Sequence, residues 1–245
     1  MAGRDDPRQK GYDVAVEAAK IYLRKRKNEE LTAQFLFFPI EGDEGKDGLD
    51  FLREFVLADE FKEKVLAFIG RWDAGFGAAQ RAAAYGLMPS LYEPFGMAHE
   101  FYLQGSVGIG RATGGNLQQI VPLRATTAFS HAVANRCNRF HAFSTNPSGI
   151  LYREKDDVPT AVADWAAINK GRYAEIDPTG RLRERSTYPL FHSMAMELEL
   201  AISEGVSIYN TKSNLYYRML CAGIRHVEQS FSWDRAARDY VRYLC

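Results

Sequence analysis

The stretch 88–115, MPSLYEPFGMAHEFYLQGSVGIGRATGG, holds the side chains whose types and order could do chemistry. A buried strand is predicted to end at Met88-Pro89-Ser90 and to drop into a turn carrying Glu93. Pro94 fixes φ there, and Gly96 is predicted to open a helix over 96–103 with its amides unhindered. Unpaired N–H groups at a helix start, approached closely through a glycine, form an anion site suited to a phosphate. Glu93 would sit at the carboxyl end of its strand, the edge where open α/β sheets bind ligands. A carboxylate in that place can accept hydrogen bonds from sugar hydroxyls. The plainer reading is a solvated turn glutamate beside a glycine that merely turns the chain.

Other constellations carry less. Gly108, Gly110 and Gly114 can be scored as a dinucleotide GxGxxxG, but they fall in or after a late strand, and only about two helical turns fit before Pro122, so the spacing speaks against a nicotinamide site. The five histidines (His99, His131, His141, His192, His226) have no HExxH or other metal-ligand spacing. His192, with Met194 and Met196, reads as helix packing. Trp72, just after KVLAFIGR, either stacks on a base or belongs to the core.

The elements that must position these residues alternate between two periods. Val14, Ala18, Ile21 and Tyr22 share one helical face, with Glu17, Lys20 and Arg24 opposite, which predicts an amphipathic helix over 11–27. The run QFLFFPI (34–40) reads as a strand buried on both faces. A loop EGDEGKDG, a helix near 49–59, a strand KVLAFI (64–69), a tightly packed alanine-rich helix (74–84) and a strand over 85–88 follow. Further strands are predicted at 107–110 and 149–154, and helices over 158–169 and 232–244. An Arg-rich loop runs through 170–187, and the rest reads as helical. The fold class is a Rossmann-like parallel α/β sheet with helices on both faces over about 1–155, extended by a mostly helical segment over 156–245. The last helix carries Ser232 as N-cap, Asp234 in its first turn and one stripe of Trp233, Ala236, Ala237, Tyr240, Val241 and Leu244. No apolar strand precedes Gly3, so either the first strand of such a fold is dispensable here or the chain is a piece of a longer one; the second reading is favoured.

At 245 residues the chain is long enough for one sizeable core. Lys and Arg number 31, as do Asp and Glu, so bulk charge gives no support for a nucleic-acid partner. No run approaches the ~20 apolar residues of a membrane span. Three scattered cysteines (Cys137, Cys221, Cys245) suit neither a disulfide framework nor a zinc site and point to the cytoplasm.

Taken in order, Pro89-Ser90-Leu91-Tyr92-Glu93-Pro94-Phe95-Gly96 and Arg111-Ala112-Thr113-Gly114-Gly115 resemble the PS-x-x-EP-x-G and R-x-TGG landmarks of glycogen and starch synthases. These are sugar-nucleotide glycosyltransferases of the two-Rossmann GT-B type, and the likeness is to their C-terminal, donor-binding half. GRDDPRQKG (3–11) resembles the family's GR…QKG turn, NPSGILYRE (146–154) its N-x-x-G-F-L-F segment, and FSWDRAARDY (231–240) its closing helix. Five landmarks in order reach over nearly the whole chain.

The resemblance implies roles residue by residue. Arg4 and Lys10 would neutralise the donor diphosphate and leaving group, with Arg8 able to take one role because the 4-to-10 spacing is one residue longer than usual; a solvated basic turn is the alternative. Glu93 would face the sugar. The amides of Gly96 and Met97 would bind phosphate oxygens, and Thr113, Gly114 and Gly115 would line the donor pocket. Glu100 falls seven residues after Glu93, where relatives place a ribose-binding glutamate at eight, a position Phe101 holds here. No D-x-D occurs, which fits a metal-independent site with no cofactor beyond the donor. The implied reaction is retaining transfer of glucose from ADP-glucose or UDP-glucose to an α-glucan acceptor. Such enzymes complete the acceptor site with an N-terminal GT-B domain not present in these residues, so the chain is expected to turn over poorly alone. A non-catalytic nucleotide-sugar-binding module or partner subunit is the main alternative. A GT-B enzyme with another donor is a second.

Overall fold

A computed structural model describes residues 1–4, 9–29, 32–40, 49–70, 73–141, 145–155 and 186–244. The predicted loop over 41–48, the helix over 158–169, nearly all of the Arg-rich stretch, Arg8, Trp72 and Cys245 lie outside the described residues.

The chain opens with a strand that its pattern does not announce. β1 (Ala2–Arg4) lies parallel to β2 (Phe35–Ile40), with Ala2 opposite Phe38 and Arg4 opposite Ile40. Three residues are too few for alternation to show. The pairing comes instead from tertiary contacts: the Phe38 amide donates to the Met1 carbonyl at 2.9 Å, and the buried Tyr12 hydroxyl donates to the carbonyls of Gly3 (3.0 Å) and Phe38 (3.2 Å). β2 continues to β3 (Val65–Ala67), also parallel. A second parallel set joins β4 (Tyr85–Met88), β5 (Val107–Arg111) and β6 (Gly149–Tyr152).

The strand orders are thus β3-β2-β1 and β4-β5-β6. Laid end to end they are the two halves of a doubly wound 3-2-1-4-5-6 sheet. Where one continuous sheet was expected, the described ladders form two three-stranded halves, and a cavity of about 560 Å³ lined by Met1, Leu36, Phe37, Tyr85, Leu87 and Ile109 lies between them.

Helices cover both faces. α1 (Tyr12–Lys25), α2 (Asp50–Leu57) and α7 (Pro189–Thr211) share one core with Phe35, Phe37, Leu87, Val107, Ile109, Ile150 and Tyr152. Because side chains alternate along a strand, the neighbours Met88 and Leu151 point the other way. They join a second core with α4 (Ala98–Leu103), α5 (Gly114–Gln119), α6 (His131–His141) and Val227 of α8 (Ser213–Ser230). α3 (Asp73–Ala82) lies beside β2, with Phe76 and Phe38 ring centroids 5.7 Å apart. Its alanines do not make the tight packing expected of them: of its described side chains only Gln80 is buried.

Small residues on the inner face of α1 (Ala15, Ala18, Ala19) let α7 approach closely. Glu199, buried in α7, accepts from Lys25 at 2.6 Å, Arg26 at 3.4 Å and Ser203 at 2.7 Å, which pins the helical extension to the first half of the fold. The last helix, α9 (Trp233–Leu244), has Ser232 as predicted at its start, where Ser232 Oγ accepts from the Arg235 amide at 3.3 Å. None of its residues is buried, and Trp233 is 88% exposed. Among the described residues no helix is long and apolar enough to cross a membrane.

Candidate functional site

The innermost strands of the two half-sheets, β1 and β4, both run parallel to their neighbours and end at the same edge. The chain leaving each one meets the other: the Leu91 amide donates to the Gln9 carbonyl at 2.8 Å. Gly11, left-handed at φ 69° and starting α1, comes so close to this loop that a Cβ there would stand 2.7 Å from the Pro89 carbonyl oxygen. Two loops pressed backbone to backbone at the carboxyl edge, where strand order reverses, make the place at which doubly wound sheets hold ligands.

Each loop contributes one charged side chain to the contact. Lys10 Nζ lies 2.9 Å from Glu93 Oε2, and Ser90 Oγ donates to the same oxygen at 2.8 Å. Glu93 is 5% exposed and the Lys10 side chain 18%. A carboxylate that far out of water needs a partner charge and donors, because desolvating it alone costs several kcal/mol; Lys10 and Ser90 supply both. Gly3 faces Lys10 and Met97, since a Cβ there would lie 4.0 Å from Lys10 Cε and 3.8 Å from Met97 Sδ. Arg4, at the end of β1, is exposed.

The helix after β4 begins later than its sequence suggests. Gly96 adopts φ +93° and stays outside; Met97 is the N-cap and α4 starts at Ala98. Six residues make a short helix, so the predicted helix-start phosphate cradle at Gly96 and Met97 is reduced to a loop segment. On α4, Phe101 turns inward over Gly86 and is 4% exposed, whereas Glu100 turns outward, 48% exposed, with its carboxylate 3.8 Å from His99 Nε2. Neighbouring positions on a helix face ~100° apart, and here that rotation separates core from solvent.

The Arg111–Gly115 turn packs directly beneath the Glu93 loop. The Gly115 amide donates to the Glu93 carbonyl at 2.6 Å, and the Thr113 amide to the Arg111 carbonyl at 2.8 Å. A Cβ at Gly114 would overlap the Glu93 backbone, and one at Gly115 the Phe95 backbone. The glycines expected to line a pocket therefore serve first to let two backbones touch. The amides of Thr113 and Gly115 already have protein acceptors.

Sequence reasoning missed the residues that hold this arrangement. Arg111 is 4% exposed; its Nε and Nη2 donate to Glu154 at 2.9 and 2.5 Å, while Nη1 donates to the Leu91 carbonyl at 2.5 Å. Arg153 Nε stands 2.8 Å from the same carboxylate. Burial alone would raise the Glu154 carboxyl, but the charge and hydrogen bonds of Arg111 and the charge of Arg153 prevail and hold its pKa below the usual value. Gln119, fully buried, donates to the Phe95 carbonyl at 2.6 Å and accepts from the His99 amide at 3.1 Å. Asn116 Oδ1, also buried, has no hydrogen-bond partner among the described residues. The available signal was an arginine directly after the strand predicted at 107–110 and a glutamate closing the one predicted at 149–154; both are buried in the fold.

No family model and no curated protein matches the chain. Among solved structures it is similar to the catalytic domain of starch synthase IV from Arabidopsis thaliana bound to ADP and acarbose, with a TM-score of 0.45 and 17% identity. The likeness covers 90% of this chain and 38% of that one, so the chain spans well under half the length of the protein it resembles. A similarity this loose carries no argument about activity; the functional reading has to stand on the site.

Proposed function

We propose that the crevice between the loops after β1 and β4 takes the diphosphate and sugar of a nucleotide-sugar donor. On this reading the chain is the donor-binding half of a retaining hexosyltransferase, moving glucose from ADP-glucose or UDP-glucose to an α-glucan. The observation that carries it is the 2.9 Å Lys10–Glu93 pair at the switch point, joining one cation and one carboxylate from loops 83 residues apart. The order of the landmark residues around both supports the assignment.

The chemistry follows from the pair. Without a donor, Lys10 and Glu93 neutralise each other. A diphosphate offers Lys10 a stronger anionic partner and frees Glu93 to accept from sugar hydroxyls or to face positive charge at the anomeric carbon. As the glycosidic bond breaks, negative charge grows on the departing nucleotide. A cation held there stabilises the transition state more than the ground state. Arg4, one residue beyond Gly3 at the end of β1, is the second cation of the proposal. Gly96, Met97, Thr113, Gly114 and Gly115 form its floor, and Glu100 stands outside as the candidate for ribose. The reaction so described needs no metal, and an N-terminal domain would supply the acceptor side.

Calorimetry with ADP, UDP and their glucose conjugates tests the proposal. Binding should be present in the wild type and fall at least tenfold in Lys10→Ala and Glu93→Ala. Absence of binding to all four ligands would sink it. The second reading, a nucleotide-sugar-binding module without turnover, is favoured by the engaged amides of Thr113 and Gly115. Glucosyl transfer to a glucan primer, with a GT-B acceptor domain supplied to the chain, separates the two: it appears on the first reading and stays absent on the second.

A further inference from the structure

We infer that Arg111 and Glu154 are the positioning residues of the Glu93 loop, a role that rests on the donor-site reading for its consequence but not for its geometry. The Arg111 guanidinium joins three carboxyl-edge segments. One edge, Nε and Nη2, is bidentate to Glu154, which follows β6 by two residues; the remaining nitrogen, Nη1, reaches back to the carbonyls of Leu91 (2.5 Å) and Ser90 (3.5 Å) after β4. Arg111 itself ends β5. The planar fork presents its donors in fixed directions, so anchoring one edge on Glu154 aims the other at the loop. Lysine has the charge without the fork.

The placement matters because Ser90 and Leu91 lie three and two residues before Glu93. Ser90 also donates its hydroxyl to Glu93 Oε2, so a shift of its backbone moves a hydrogen bond to the carboxylate itself. Thr113 Oγ1 donates to the Leu91 carbonyl at 3.5 Å, and the Gly115 amide holds the Glu93 carbonyl. The R-x-TGG segment therefore acts on the donor site through the backbone it supports. Arg153 Nη1 donates to the Ala112 carbonyl at 3.1 Å and ties the end of β6 to the same turn.

The test is hydrogen exchange of the full chain, followed by peptide, with Arg111→Lys and Glu154→Gln. Both are expected to speed exchange across 90–97 at least tenfold while 12–25 and 189–211 keep wild-type protection, because a loop released locally opens without global unfolding. ADP affinity should fall in parallel, about tenfold in Arg111→Lys and less in Glu154→Gln. Unchanged exchange at 90–97, or equal acceleration in all three peptides, overturns the inference. If the single variants do not fold, the apolar triple Arg111→Met, Arg153→Met and Glu154→Leu removes all three charges together, leaving none buried alone, and the same peptide decides. If the wild type binds no nucleotide, the donor reading fails while the exchange result still judges the positioning role.

Discussion

Gly115 donates its amide to the carbonyl of Glu93 at 2.6 Å, and Gly114 beside it leaves no room for a Cβ against that same backbone. The pair of glycines is the seat of the loop that carries the carboxylate. Gly114 also sits at φ +45°, a region L side chains enter at a cost of ~1–3 kcal/mol. Gly114→Ala adds overpacking of similar size. The expected loss is roughly 2–4 kcal/mol in urea unfolding, and a neutral result would mean the two loops do not touch as described.

Lys10 and Glu93 should be coupled in stability as well as in binding. Lys10→Met leaves a carboxylate that is 5% exposed without its cation, and Glu93→Gln removes that penalty. The pair is only partly buried, so a double-mutant cycle should give an interaction of roughly 1–3 kcal/mol, below the full cost of breaking a deeply buried pair. Independent effects of the two substitutions, measured by chemical denaturation, would contradict the pairing.

Stability should fall on mild acidification, and His141 is one cause. Burial, and then the charges of His226 and Arg124, lower its pKa from 6.5, against the bond its Nε2 makes to the Leu117 carbonyl at 2.7 Å. The unfolded chain therefore takes up a proton at this residue before the folded one does. The contribution of neutral His141 is complete above about pH 6.5 and is lost as pH drops below it toward the folded value. His141→Gln should flatten the pH dependence of urea midpoints below about pH 6.5. An unaltered slope would show that other groups carry it.

The close packing of α8 on α4 depends on Gly223, whose absent Cβ makes room for the Tyr102 ring. Tyr102 is fully buried, and its hydroxyl donates to the Ser148 carbonyl at 3.1 Å. Gly223→Val should destabilise by about 2–3 kcal/mol through overpacking, whereas Tyr102→Phe should lose only ~1 kcal/mol, one hydrogen bond. Melting temperatures of the two variants give the comparison directly.

Much of the scaffold was readable because it repeats a period. The face of α1 carrying Val14, Ala18 and Tyr22 is the buried face, the strand over 85–88 matches β4 residue for residue, and Ser232 starts the last helix. Features without a period escaped. β1 is three residues long and is held by pairing and by Tyr12, not by its own pattern. The helix after Gly96 started two residues late because Gln119 takes the Phe95 carbonyl and the His99 amide, the two groups that would make the first bond of a helix beginning at 96. Glu100 and Phe101 could not be told apart as site and core from spacing alone.

Residue types and order, on their own, determined that a cation near the beginning, a strand-end carboxylate and a glycine pair exist in that succession, because chemistry and local propensity are carried by the chain itself. Folding decided that Lys10 and Glu93 meet, that Gly114 and Gly115 serve backbone contact, and that Arg111 reaches Glu154 and Leu91 at once. Those relationships join segments tens of residues apart, and only the arrangement of β1, β4, β5 and β6 at one edge brings them within hydrogen-bonding distance.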